Sequence, residues 1–158
     1  MADLRIERVS VPTDEVRELL DELNVALSGS GLYLPEQHHY LPLEQLFDGK
    51  VRFFVARVDR VAAGCGGVAF DDGFAEVKRM FTRPTARRQG VATGVLRRLE
   101  AEARSAGYSV LRLETGVYQD EAMAFYVSEG FEECDAFGDY ARMSPREIET
   151  SVFYEKTV

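Results

Sequence analysis

The chain has 158 residues, of which 46% are hydrophobic and 29% charged, and its formal net charge is −8. This length fits one domain over residues 1–158, and the acidic balance argues against nucleic-acid binding, which needs a basic face. Two cysteines, Cys65 and Cys134, are too few for a structural zinc site, so we expect no metal. Because no apolar run resembles a signal peptide or a membrane span, we expect a cytoplasmic protein without a membrane partner.

The first half of the sequence predicts a strand, a helix and an antiparallel meander. Alternating apolar residues indicate an opening strand at 4–9, and apolar residues at helical spacing then indicate a helix that stops within 28–31. The segment 32–42 is irregular and holds both histidines. β-branched and aromatic residues separated by turn signals then predict three strands, at 51–58, 61–70 and 74–82.

The second half alternates between helices and strands. We expect a helix at 90–106, a strand at 110–113, a helix at 120–128, and strands at 131–137 and 151–156. The unit 74–113 is a candidate right-handed crossover, the connection that parallel strands require. The predicted fold class is therefore α/β (α+β), with one mixed β-sheet that is antiparallel at first, has a central parallel pair and is flanked by helices.

The turn before the second long helix has the chemistry of an anion site. Free amide groups at a helix start and the helix dipole attract phosphate, Gly90 permits close approach, and Arg87 and Arg88 add positive charge. The plainer alternative is a basic loop that only starts a helix. The glycines of 64–67 lie in the meander with no helix after them, so they indicate a bulge or close packing rather than a dinucleotide fingerprint.

The motif Arg87-x-x-Gly90-x-Ala92, after the strand at 76–82, resembles the acyl-CoA signature of the GNAT superfamily of N-acyltransferases, Gln/Arg-x-x-Gly-x-Gly/Ala. The likeness continues through Leu113-Glu114-Thr115 and Ala122-x-x-x-Tyr126-x-x-x-Gly130-Phe131. Together these features cover about residues 50–135, in the family's order and spacing. The first 45 residues and the tail after Phe137 resemble the family in element order only.

The resemblance implies acetyl-CoA as co-substrate. The backbone of Met80 and Thr82, with Phe81 between them, would pair with the pantetheine amides. The strand at 110–114 would splay from the strand at 74–82. Gln119 stands where many family members have an Asn that contacts the pantetheine arm. The pyrophosphate would bind at the turn, which comprises Arg87, Arg88, Gln89, Gly90, Val91, Ala92 and Thr93.

Two residues are the candidates for proton transfer. The family places a tyrosine near the cofactor sulfur, which makes Tyr126 the candidate acid; the alternative is a tyrosine packed in the core. Glu76 is the candidate base, since certain GNAT enzymes carry a carboxylate there; the alternative is a surface pair with Lys78. Strand alternation predicts that Glu76, Lys78 and Met80 share one face. Because no nucleophile triad is evident, we expect direct attack on the thioester.

The acceptor side is less specified by the sequence. His39 and Tyr33, in the irregular segment, and Glu114 are candidate substrate-binding residues, and Glu114 is also a second candidate base. The predicted reaction is acetyl transfer to a primary amine of a small molecule. A protein lysine or N-terminal acetyltransferase and a non-catalytic acyl-CoA-binding module are the alternatives, and family analogy admits a homodimer. Basic residues are expected around the pyrophosphate site, namely Lys78, Arg79, Arg83, Arg87, Arg88, Arg97 and Arg98.

Overall fold

The computed structural model describes residues 2–28 and 31–158. Its strands and helices follow the predicted order. The strands are β1 (Leu4–Val9), β2 (Val51–Val58), β3 (Val61–Phe70), β4 (Ala75–Thr82), β5 (Val110–Gly116), β6 (Glu132–Cys134) and β7 (Ser151–Thr157). The helices are α1 (Asp14–Ser28), α2 (Val91–Ser105), α3 (Asp120–Ser128) and α4 (Pro145–Ile148). The helix stop predicted at 28–31 includes Gly29 and Ser30, which lie outside the described residues.

All seven strands form one sheet in the order β1-β2-β3-β4-β5-β7-β6. β4 and β5 pair in parallel, and the other neighbours pair antiparallel, so the predicted mixed sheet with a central parallel pair is confirmed. The last predicted strands differ in detail. β6 stops at Cys134, because Phe137 turns inward against Phe74 and Phe153 and a 3-10 turn follows at 138–142.

The homodimer that family analogy admits stays a prediction.

The sheet separates two apolar layers. Val95 and Leu99 of α2 pack against one face, together with Tyr126 of α3, and Val16 and Leu19 of α1 pack against the other. Burial of these side chains stabilises the fold by roughly 1.5–3 kcal/mol each. No helix in the described part of the chain is long and apolar enough to cross a membrane.

Glycines in β3 allow α2 to lie unusually close to the sheet, which confirms the packing role predicted for 64–67. A Cβ at Gly64 would stand 2.5 Å from the Phe81 carbonyl oxygen and 2.8 Å from Val91 Cγ1, and one at Gly66 would stand 2.7 Å from Val95 Cγ1. Real Cβ atoms do not approach backbone so closely. The first turn of α2 is therefore held directly against β3, next to the end of β4.

Candidate active site

A cleft opens where β4 and β5 separate. Their parallel pairing is restricted to Ala75 with Leu111 and Glu76 with Arg112. Beyond that point no β5 residue pairs with β4, so backbone groups along 77–82 face the gap. The space has a volume of about 470 Å³, and residues of α1, β4, β5 and α3 line it. This geometry confirms the predicted splay, and it leaves the β4 edge at Met80, Phe81 and Thr82 available to an extended ligand.

The turn 87–92 lies at one end of this cleft. Arg88 and Gly90 both have left-handed backbone conformations, with φ of +65° and +80°. Within the described chain, no residue accepts a hydrogen bond from the amides of residues 88–93. The side chains of Gln89 and Thr93 bond instead to the Thr85 carbonyl (3.3 Å) and to Glu129 (2.9 Å). The turn thus offers consecutive free N–H donors at a helix N-terminus, which suits a diphosphate.

Most of the wider basic set is paired with acidic residues, so it adds little free positive charge around this turn. Arg83 pairs with Glu22 at 2.7 Å, Arg97 with Glu129 at 2.7 Å and Arg98 with Glu102 at 3.1 Å. Lys78 lines the smaller neighbouring cavity, and Arg79 lies where that cavity meets the cleft. Strong acidic partners on α1, α2 and α3 neutralise most of these cations, because the protein has more carboxylates than basic groups. Arg87 and Arg88 alone of the set flank the turn, and both are exposed.

Tyr126 stands in the wall of the cleft. Its ring packs between Phe125 and Phe131, with centroids at 5.3 Å and 5.6 Å, and only 7% of the residue is exposed. No hydrogen bond between described residues involves its hydroxyl. Burial raises the pKa of Tyr126, so the phenol keeps its proton throughout the neutral range. Tyr126 is therefore a core side chain that also lines the cleft, and no described residue accepts its phenol proton.

A second, smaller cavity of about 110 Å³ adjoins the cleft. The irregular segment at 33–40 forms one wall, and β4 and β5 form the other. The predicted substrate-binding residues Tyr33, His39 and Glu114 all line it, together with Glu76. The two spaces are joined, because they share the lining residues Leu27, Val77, Arg79, Glu114 and Gln119.

The irregular segment is fastened over the cavity by polar contacts. The Tyr33 hydroxyl accepts hydrogen bonds from the Tyr118 amide (2.9 Å) and from Gln119 Nε2 (3.4 Å). Gln37 is buried, and its side chain donates a hydrogen bond at 3.1 Å to the carbonyl oxygen of Arg146, the second residue of α4. His39 Nε2 lies 2.6 Å from the Glu147 carbonyl oxygen. No sequence pattern signals the role of Gln37, since the partners of its Nε2, Arg146 and Glu149, lie more than a hundred residues away.

Glu76 is part of a buried network. Tyr140 donates its hydroxyl hydrogen bond to Glu76 Oε2 at 2.8 Å, and Lys78 Nζ lies 2.8 Å from the same oxygen and 2.9 Å from the Tyr140 oxygen. The pair with Lys78 exists, but it is buried rather than on the surface. Tyr140 was missed as a site residue, because a 3-10 turn brings it back to β4 and no local pattern signals that contact.

Glu114 has a different environment. It lies on β5 where the strands separate, and Ser151 Oγ donates to its Oε2 at 2.7 Å. Burial raises the pKa of Glu114, while the Ser151 hydrogen bond and the charges of His39 and Lys78 oppose that rise. In contrast to Glu76, no ion pair within the described chain involves Glu114. Burial therefore increases the affinity of the Glu114 carboxylate for a proton.

A β-bulge in β4 sets which side chains face this cavity. Lys78 is opposite Gly67 and Phe81 is opposite Cys65, so both Arg79 and Met80 face Gly66. Arg79 has φ of +58° and reaches Asn24 of α1, whereas Met80 packs towards α2. The prediction that Met80 shares a face with Glu76 and Lys78 is wrong, because the inserted residue reverses the alternation.

Comparison with known proteins identifies the family. The family model described as acetyltransferase (GNAT) family matches residues 14–131. The chain belongs to the GNAT family. This GNAT protein is 44% identical over 142 residues to an IAA acetyltransferase from Azospirillum brasilense, which covers 89% of this chain and 92% of the relative. The resemblance suggested by the turn and the Tyr126 region is confirmed.

Solved structures agree with this assignment. A Klebsiella pneumoniae protein described as an acyl-CoA N-acyltransferase has 32% identity and a TM-score of 0.75, with 98% of this chain and 97% of that chain covered. The PaiA N-acetyltransferase from Thermoplasma acidophilum, solved with coenzyme A, has 17% identity and a TM-score of 0.72 over 99% of each chain, which shows the shared fold. The present GNAT chain is an acyl-CoA-dependent acyltransferase.

The left-handed turn provides a direct test of co-substrate binding. We expect Gly90→Ala to raise the KM for acetyl-CoA by about 5- to 30-fold, since a side chain in this conformation costs about 1–2 kcal/mol and binding must restore the turn. Steady-state kinetics measures the change. Gly73 is the matched control, because it has φ of +85° and, like Gly90, no atom within 4 Å of an added Cβ. A wild-type KM in Gly90→Ala would contradict this role for the turn.

Proposed function

We propose that this enzyme transfers the acetyl group of acetyl-CoA to a primary amine of a small molecule by direct attack. The observation that carries the proposal is the small cavity beside the cleft, which the segment at 33–40 covers on one side. Its outer wall, the segment at 33–40, is anchored to α4 through Gln37 and His39. A protein substrate would need an open groove at this position. A cavity of about 110 Å³ instead suits a small acceptor.

The co-substrate would lie along the cleft with its charged end at α2. The amides of residues 88–93 would bind the pyrophosphate, with Arg87 and Arg88 at the rim. The free β4 edge at 80–82 would pair with the pantetheine amides as a neighbouring strand does. Gln119, which lines both spaces and donates to Tyr33, would present its carbonyl oxygen to the pantetheine arm.

The chemistry needs one proton acceptor and one proton donor. The sequence predicts Glu76 as acceptor, but Lys78 and Tyr140 already occupy its inner oxygen. Glu114 suits the role of base better than Glu76 does, because its carboxylate accepts a hydrogen bond only from Ser151 among the described residues and its pKa is raised. Glu114 would take the amine proton as the C–N bond forms, and Tyr126 would protonate the departing sulfur as the C–S bond breaks.

The acid role of Tyr126 is tested by removing its hydroxyl. We expect Tyr126→Phe to lower kcat by about 10²-fold, the lower end of general-acid catalysis, and to leave the affinity for coenzyme A nearly unchanged. Single-turnover thiol release and calorimetric binding of coenzyme A give the two numbers. Tyr108→Phe is a control for loss of a phenol, since Tyr108 packs on Phe70 away from the cleft. An unchanged kcat would exclude Tyr126 as the acid.

The base is tested through the pH dependence of kcat/KM. Glu114 must lose its proton to act, so activity should rise as pH passes upward through its raised pKa. Ser151→Ala removes a hydrogen bond that favours the ionised form, and the acidic limb should therefore move to higher pH.

The paired glutamine variants identify which carboxylate acts. Glu114→Gln should lower kcat/KM by roughly 10²-fold or more and abolish the acidic limb, whereas Glu76→Gln should retain that limb. The reverse result would assign the base to Glu76. If the acidic limb does not move in Ser151→Ala, that limb does not report the ionisation of Glu114.

The reaction itself is tested by thiol release from acetyl-CoA across a panel of small primary amines and lysine-containing peptides. We expect turnover with small amines and none with the peptides. Preferential acetylation of peptides would favour a protein acetyltransferase. Binding of acetyl-CoA without turnover of any amine would favour the non-catalytic module.

A further inference from the structure

Arg79 is a buried cation without a counter-ion. Only 8% of the residue is exposed. Its Nε and Nη1 are buried, yet neither has a hydrogen-bond partner among the described residues. Nη2 donates to Asn24 Oδ1 at 2.5 Å, and the guanidinium carbon lies 4.7 Å from the centre of the Tyr40 ring. Throughout residues 2–28 and 31–158, no carboxylate is within ion-pair distance of this side chain.

The surrounding charges do not compensate Arg79. Glu76 is paired with Lys78 on the same strand, and Glu22 of α1 is paired with Arg83. Glu114 on β5 accepts a hydrogen bond from Ser151 and forms no ion pair with Arg79. An unpaired buried charge is costly, so an anionic ligand group beside Arg79 would offset that cost. The left-handed backbone of Arg79 adds local strain, which is common at ligand sites.

The position of Arg79 indicates which ligand would supply the anion. It lines both the cleft and the smaller cavity, at their junction. The turn at 88–93, which suits phosphate, lies beyond the other end of the 80–82 edge. The acetyl end of the co-substrate, which would reach Arg79, carries no charge. An anion beside Arg79 therefore belongs to the acceptor.

We propose that Arg79 binds a carboxylate of the acceptor, so that the substrate is a small amino acid or a similar compound with both an amine and a carboxylate. The inference rests on the proposed amine acetylation and names its substrate class. A guanidinium with free N–H groups matches the two oxygens of a carboxylate. The stacked Tyr40 and the anchored Tyr33 would close the cavity over the bound molecule.

The test compares acceptors that differ only in the carboxylate. L-methionine is paired with 3-(methylthio)propylamine, L-phenylalanine with phenethylamine and L-lysine with cadaverine, and O-phosphoethanolamine tests for a phosphate instead. We expect at least one amino acid to exceed its decarboxylated partner in kcat/KM by about 10-fold or more. Arg79→Met should erase that preference by raising the KM for the amino acid, and should leave the KM for acetyl-CoA and turnover of the plain amine within about 3-fold.

Two further variants control for charge and folding. Arg79→Lys keeps the charge and loses the planar fork, so it should recover part of the preference. Arg83→Met removes a neighbouring arginine that is paired with Glu22 and should leave the preference unchanged. An equal fall in kcat for amino acids and amines in Arg79→Met would assign Arg79 to the acyl transfer itself and overturn the inference. So would a preference for O-phosphoethanolamine or for the plain amines.

A binding measurement separates this inference from the proposed reaction. Calorimetry of the coenzyme A complex with the same amino acids should show binding that Arg79→Met weakens by about 10-fold or more. If no amine is acetylated but this Arg79-dependent binding is found, amine acetylation fails and the carboxylate site stands. If plain amines are acetylated and no amino acid binds, the reaction stands and the carboxylate site is overturned.

Discussion

The separation of β4 from β5 is the constraint on which the site depends. After Glu76 and Arg112 the two strands no longer pair, and a sheet that would otherwise be closed leaves one β4 edge free to bond a ligand. The gap must nevertheless be held at a fixed width. α2 supports one side, because Gly64 lets its first turn pack directly against β3, next to the end of β4. The same turn brings the free amides of 88–93 to the mouth of the cleft.

Charge is distributed unevenly along this continuous space. At the α2 end, arginines and amides face solvent and suit a hydrated diphosphate. In the interior, Lys78 and Glu76 compensate each other, burial keeps the proton on Tyr126, and burial raises the pKa of Glu114. Under the proposed reaction, the carboxylate of Glu114 accepts the proton of the amine, and Tyr126 donates a proton to the departing sulfur. Arg79 has no counter-ion among the described residues, and two of its nitrogens have no hydrogen-bond partner there.

The bulge in β4 explains how these groups come together. A regular strand would send Arg79 towards α2 and Met80 towards the acceptor cavity. One extra residue opposite Gly66 reverses that order and places a cation where the acceptor would lie. The segment at 33–40 completes the cavity from outside, and its anchors Gln37 and His39 bind to α4 near the C-terminus. The smaller cavity thus depends on chain segments that are distant in sequence.

The sequence by itself determined the element order, the mixed sheet, the anion-binding turn and the family, because each depends on local periodicity or on short motifs such as Arg87-x-x-Gly90-x-Ala92. It also named Tyr33, His39, Glu76 and Glu114, which line the smaller cavity. Only the tertiary structure decided their relations. It showed that Tyr140 bonds to Glu76, which is 64 residues away in sequence. It also showed that Arg79 lies at the junction of the cleft and the smaller cavity. Bulges and long-range hydrogen bonds leave no periodic trace, so strand alternation misplaced Met80 and could not show which side chains stay unpaired.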